Sequence, residues 1–304
     1  MTFYDFPLRV LFRQFLLSPP EAQLIDEFHR LHSRLVFADR SQVFLSREAF
    51  QVARQASRRS LDPPDLTLLQ GNRPPEVHKT VYTLLLEKEM RSYRHLRHAS
   101  DRMLVEVVIL HHFLKVETLN QRSLSVLGWM IQDRLTHILL QTGSRSIRKI
   151  RELSSEPGID RQAWETRLAG AAAEAKAMQE LALTRLHVYP ATIFEDTSLK
   201  IDFFLALEGS SVGACVSVKT HVNGHTKFML GSVPGYEEWW TSIHDGSSKF
   251  EGMSRRTWRP ILLTVNKPQG EDVDLTMPVH PAHWALDLQA VLEEDRSQLL
   301  TRTA

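Results

Sequence analysis

The chain has 304 residues, 42% of them hydrophobic, enough to bury one large core or two ordinary ones. Its 37 basic and 36 acidic residues nearly balance, but residues 1–150 hold 22 Lys and Arg against 15 Asp and Glu, so the first half carries +7 and the remainder −6. A single cysteine, Cys215, excludes an internal disulfide and a multi-cysteine zinc site. No stretch approaches the ~20 uncharged residues that span a bilayer, and Asp5, Arg9 and Arg13 interrupt the apolar start, so a cytoplasmic protein with no membrane anchor is expected.

The first half reads as helical. Ser18 before Pro19 and Pro20 is a helix start, followed by a stripe of Leu24, Phe28, Leu31 and Leu35. A second helix is expected from Ser46 through Arg59, where Arg54, Arg58 and Arg59 suit the dipole at its end. The proline-rich stretch 61–76 is a loop. Beyond Glu76 a helix with Val81, Leu84, Leu85 and Met90 on its core face should carry Arg91, Arg94 and Arg97 on another. The stretch 103–116 is apolar nearly all round and predicts a buried helix. His111 and His112 within it are adjacent, the wrong spacing for a shared metal, and read as core-edge histidines. A further amphipathic helix ends at Gly143, and Arg145, Arg148, Lys149 and Arg151 follow as a compact basic turn. The arginine surplus either draws a polyanionic partner or forms a solvated helical surface.

Glu156 to Asp160 reads as a hinge, with Asp160 capping a helix whose buried stripe is Leu168, Ala171, Ala175, Met178, Ala182 and Leu186. Glu174 lies at the margin of that stripe, as an acidic ligand or a plain surface glutamate; Glu180 falls on a face with no large apolar residue. A short strand is expected over His187–Phe194, followed by a hairpin of Leu199–Leu207 and Ala214–His221. In the second hairpin strand Cys215, Ser217, Lys219 and His221 alternate with Ala214, Val216, Val218 and Thr220. An ionised group in so apolar a run needs a partner, so Asp202 and Lys219 form either a half-buried ion pair or a metal site with a lysine beside it. An extended piece at 227–233, a loop-like insertion over 234–259, a buried strand at 259–267 and a closing helix from Pro281 complete the chain.

This order of elements and these residues resemble the PD-(D/E)xK nuclease superfamily over about residues 165–295. In that family an aspartate enters the second core strand, the third carries an acid, any residue and a lysine, and an upstream helix often supplies a glutamate. The matching positions are Asp202, Lys219 and Glu174, with Asp202 and Lys219 separated by 17 residues. Ser217 stands where the third-strand acid is expected, which removes one negative charge unless another carboxylate compensates. Together with the helical reading of the first half, which the resemblance does not cover, this gives an expected α+β chain of two domains. Residues 1–155 would be an all-α basic domain, and residues 156–304 an α/β restriction-endonuclease-like domain with a central mixed sheet flanked by helices.

The resemblance implies a DNA endonuclease using Mg²⁺ or Mn²⁺ held by Asp202, Glu174 and the carbonyl of Val218. Lys219 would assist the attacking water and Ser217 hydrogen-bond to it. The helical half would position DNA through Arg91, Arg94, Arg97, Arg145, Arg148 and Lys149. The alternatives are an inactive nuclease-like module that binds DNA or joins a larger DNA-processing assembly, and a helical protein–protein adaptor. His221 shares the Lys219 face, for phosphate or for structure. Tyr236, Trp239, Trp240, Trp258, Arg255, Arg256 and Arg259 interleave in the insertion, either to stack on bases and bind phosphates or to pack the loop.

Overall fold

The computed structural model describes residues 45–59, 69, 73–116, 119–207, 212–222, 224–254, 257–267, 271–275 and 280–303. The helix expected after Ser18, most of the proline-rich loop at 61–76, and Arg255 and Arg256 lie outside the described residues.

Among the described residues, five helices build the first half: α1 (Arg47–Ser57), α2 (Pro75–Met90), α3 (Ala99–Phe113), α4 (Gln121–Thr142) and α5 (Ser144–Glu152). Their ends follow sequence chemistry. The Ser46 side chain accepts the Ala49 N–H at α1, a proline opens α2, and the Asn120 side chain accepts the Ser123 N–H at α4. Two expectations change here. The basic stretch after Gly143 is a helix, α5, because Ile147 and Ile150 one turn apart are buried while Arg145, Arg148 and Lys149 face out. Arg91, Arg94 and Arg97 are exposed but not on a helix face: α2 ends at Met90, and they lie on a 3₁₀ turn (Arg91–Tyr93) and the residues after it.

The second half runs α6 (Arg161–Leu181), β1 (Leu186–Pro190), α7 (Ile193–Leu199), β2 (Phe203–Leu207), β3 (Val212–Val222), β4 (Lys227–Met229), α8 (Glu237–Ser254), β5 (Thr257–Lys267) and α9 (His283–Thr303). The five strands form one mixed sheet in the order β1-β2-β3-β5-β4. β1, β2 and β3 make an antiparallel meander, and β3 pairs in parallel with β5 from Val212↔Thr257 to Val222↔Lys267. Parallel neighbours need a crossover, and α8 supplies it. That helix replaces the loop expected over 234–259: its Gly and Ser content suggests a loop, yet Ile243, Ser247 and Phe250 recur at helical spacing and are all buried.

α7 was also unexpected from the hydropathy. Its start is a capping box in which Thr192 and Glu195 satisfy each other's backbone N–H, so the segment Ile193–Leu199 coils. Lys200 then adopts a left-handed conformation (φ 60°, ψ 33°), ending α7 and turning the chain into β2. α8 packs against that end so closely that a Cβ on Gly246 would come within 1.8 Å of the Leu199 carbonyl oxygen.

The strand alternation sorts the core into two layers. Phe203, Leu205, Ala214, Val216 and Val218 join a cluster running from Leu45 to Leu292 that includes α1, α3, α4 and α6. Phe204 and Cys215 face the other way, onto Ile243, Phe250 and Trp258. The two halves therefore share one hydrophobic core. The segment at 156–160 is not a free hinge: Glu156 pairs with Arg54 (3.2 Å) and Arg58 (2.9 Å), and the Asp160 N–H donates to His111 Nε2 (2.9 Å). Gly158 sits against Ser57, where a Cβ would meet the carbonyl oxygen at 1.6 Å.

Candidate active site

Hairpin register sets the centre of the site. Phe203 pairs with Val216, so Asp202, one residue ahead of β2, lies across from Ser217. Its backbone is fixed on both sides, the N–H donating to the Val216 carbonyl (2.8 Å) and the carbonyl accepting from the Ala191 N–H (3.1 Å). The Asp202 carboxylate accepts a short bond from the Val218 N–H and one of 3.2 Å from the Ser217 hydroxyl, and Lys219 Nζ stands 4.0 Å away. The expected neighbours thus meet. Val218 contacts the carboxylate through its N–H; its carbonyl makes no contact there among those described.

Glu174 reaches this centre from α6, and it is not a surface residue: it is 8% exposed. The Gln132 amide donates a short bond to one of its oxygens and the Thr136 hydroxyl donates a 2.9 Å bond to the other, both from α4 in the first half. Burial, then the charges of Asp202 and Asp196, push the Glu174 carboxyl well above its ordinary pKa, and the two hydrogen bonds oppose that rise.

Asp196 was not anticipated. It sits in the first turn of α7, half-buried, in hydrogen-bonding contact with Asp202. Removal from water and the Asp202 charge raise its pKa well above the ordinary value, while Lys219 and Lys200 pull it down. The signal was present as the Thr192-x-x-Glu195 capping box, which marks a helix start; reading 187–194 as a strand concealed it.

Glu174, Asp196 and Asp202 line one cavity, walled by Trp129, Gln132, Thr136 and His137 of α4, by Met178 of α6, and by Val188 and Pro190 of β1. Three carboxylates therefore share a recess, with the Lys219 ammonium 4.0 Å from Asp202. They cannot all stay ionised there unless a proton or a cation compensates. The donors are hard oxygens of the kind Mg²⁺ prefers. Among the described residues, however, no group of three or more His, Cys, Asp or Glu side chains is arranged to hold a metal ion as it stands. In Glu174, both oxygens are engaged by α4.

The remaining expectations separate from the site. Glu180 is buried beneath α9, accepting from Trp284 Nε1 (2.6 Å) and pairing with Lys176 (3.1 Å), so its face is not solvated. Arg91, Arg94, Arg97, Arg145, Arg148 and Lys149 are exposed, and none lines the cavity. His111 and His112 serve structure: His112 Nε2 lies 3.1 Å from the Ala56 carbonyl. His221 Nδ1 is 2.8 Å from the Tyr236 hydroxyl. Trp258 and Trp240 pack onto the second core layer. No helix among the described residues is long and apolar enough to cross a membrane.

Comparison with protein-family models, curated proteins and solved structures finds no match to the chain. What stands is a mixed α/β chain with a five-stranded sheet and a recess of three acids beside one lysine.

Proposed function

We propose that the chain is a divalent-metal-dependent phosphodiesterase acting on DNA, in the manner of the PD-(D/E)xK nucleases it resembles. The observation that carries this reading is the convergence of Asp202, Ser217 and Lys219, with Nζ 4.0 Å from the carboxylate, on one antiparallel strand pair. With a cation bound to offset its burial, Asp196 would provide the negative charge that Ser217 lacks. Asp202 and Asp196 would hold the ion, with Glu174 joining them once free of α4. Bound there, the ion supplies Lewis-acid polarisation of a phosphodiester oxygen.

This chain's own groups do the rest. The Lys219 ammonium, part exposed, offsets charge that develops on the phosphorus oxygens and orients an incoming water. Ser217, 2% exposed and bonded to Asp202, keeps that carboxylate aimed along the strand. The apolar wall of Val188, Pro190 and Met178 excludes bulk water and strengthens each electrostatic contact.

The test is nicking of supercoiled DNA with Mg²⁺ or Mn²⁺ by the wild type, Asp202→Asn and Lys219→Ala. Metal-dependent nicking lost in both variants, with melting temperatures retained, is the expected result; nicking unchanged in either variant sinks the assignment.

A second reading rests on Ser217 and on the engagement of both Glu174 oxygens by Gln132 and Thr136. The same fold would then bind DNA without cutting it. Salt-sensitive DNA binding with no nicking and no metal-induced rise in melting temperature selects that form.

A further inference from the structure

We infer that the strand leading out of the site delivers single-stranded nucleic acid, with Tyr236 and Trp239 as the stacking platform for its bases. The inference rests on the nucleolytic reading above in placing the phosphate at Lys219.

Along β3, His221 follows Lys219 on the same face, about 7 Å further on at the strand rise. Its ring is fixed by the Tyr236 hydroxyl at 2.8 Å, and Gly224 lies against it so closely that a Cβ there would meet the imidazole at 1.9 Å. Tyr236 in turn lies 5.6 Å, ring to ring, from Trp239, which is 39% exposed in the first turn of α8. Lys227 of β4, exposed, holds its ammonium 5.6 Å from the Tyr236 ring centre. The result is a half-open pair of rings, tilted 58° to each other, with one cation over the tyrosine, beside the strand that carries Lys219.

Two features select an unpaired strand over a duplex. The Asp202 side chain is only 11% exposed and Glu174 8%, so the acids are recessed, and a single strand reaches them more readily than the face of an intact double helix. Glu237 and Glu238, exposed beside Trp239, leave the surface short of net positive charge. Its attraction must therefore come from stacking, and duplex bases are already stacked on one another while unpaired ones offer their π-faces.

The test is fluorescence anisotropy of the full chain with a labelled oligothymidylate and with a duplex of equal length, in chelator so that nothing is cut. The expected result is preference for the single strand. Trp239→Ala, at an exposed position, should weaken strand binding roughly 5- to 100-fold while its melting temperature stays that of the wild type. Trp239→Phe, which keeps a ring, should bind closer to the wild type than to W239A. Equal affinity for strand and duplex, or W239A binding the strand as the wild type does, overturns the inference. Because no cleavage is read, failure here leaves the nicking result untouched. Conversely, loss of nicking activity with stacking intact removes only the hydrolytic reading.

Discussion

Thr136, in the helical half, donates a 2.9 Å hydrogen bond to the Glu174 carboxylate, in the α/β half. With Gln132 it ties α4 to the candidate site through a buried acid that burial and two neighbouring carboxylates keep protonated well above the ordinary range.

Removing that acid should stabilise the chain while abolishing the proposed activity. The folded Glu174 holds its proton to a higher pH than the unfolded one, so its contribution falls as pH rises above its ordinary value. Glu174→Gln keeps the shape and discards the titration. Expected is a higher melting temperature than the wild type at pH 8, no difference at pH 4, and no metal-dependent nicking. A variant less stable at pH 8 would show that the carboxylate is compensated in the fold.

Asp196 and Ser217 should be exchangeable in charge. Asp196→Asn is expected to lower nicking at least about 100-fold, a loss comparable to removing one preorganised electrostatic group. Ser217→Asp alone adds a fourth carboxylate at a position 2% exposed and should cost several kcal/mol of stability. The double variant restores the acid count, and partial recovery of nicking is the expected outcome. Full activity in Asp196→Asn alone would remove this residue from the site.

Glu195 carries its own pH signature. It is fully buried in the capping box, one oxygen has no partner, and burial lifts its pKa to about 8. A raised acid pKa stabilises the fold below the unfolded value of 4.5, and that contribution is lost as pH climbs through about 8. Glu195→Gln, which can still accept the Thr192 N–H, should flatten the decline of melting temperature between these limits. The effect is on the order of 5 kcal/mol at most.

His111 works in the opposite sense. Burial lowers its pKa to about 4, and its Nε2 accepts the Asp160 N–H. Protonation would abolish that acceptor, so stability should fall as pH drops from 6.5 through about 4, and chemical denaturation across this window reads it. His111→Gln is expected to remove that acid-side slope at a cost of about 1–3 kcal/mol near neutrality, where the Asp160 N–H loses its fit.

Gly246 offers a test of how the site is held in place. Gly246→Ala must displace the Leu199 carbonyl, directly before the Lys200 turn that delivers Asp202. Expected are a loss of about 1–3 kcal/mol and reduced nicking, although residue 246 touches no reacting group. Unchanged melting would mean that α7 and α8 separate freely.

Much of the chain was legible because local chemistry repeats a simple period. The helix starts at Ser46 and Asp160, the apolar stretches of α3, α4 and α6, and the alternation of β3 all announce their elements within a few residues. α7 and α8 were not legible by hydropathy, because a capping box and a Gly- and Ser-containing buried face compete with that signal.

What the amino-acid order decides by itself is a hairpin that can bring Asp202 and Lys219 together, since a Gly- and Ser-containing link joins two apolar runs there. The neighbours of that pair are a matter of tertiary structure. Gln132 and Thr136 of α4 stand some forty residues before Glu174, and Asp196 reaches the recess only because Lys200 turns left-handed at the end of α7. No period in the sequence encodes those distances; they follow from burying α4, α6 and the sheet in one core, where each polar group removed from water must find its partner on another element.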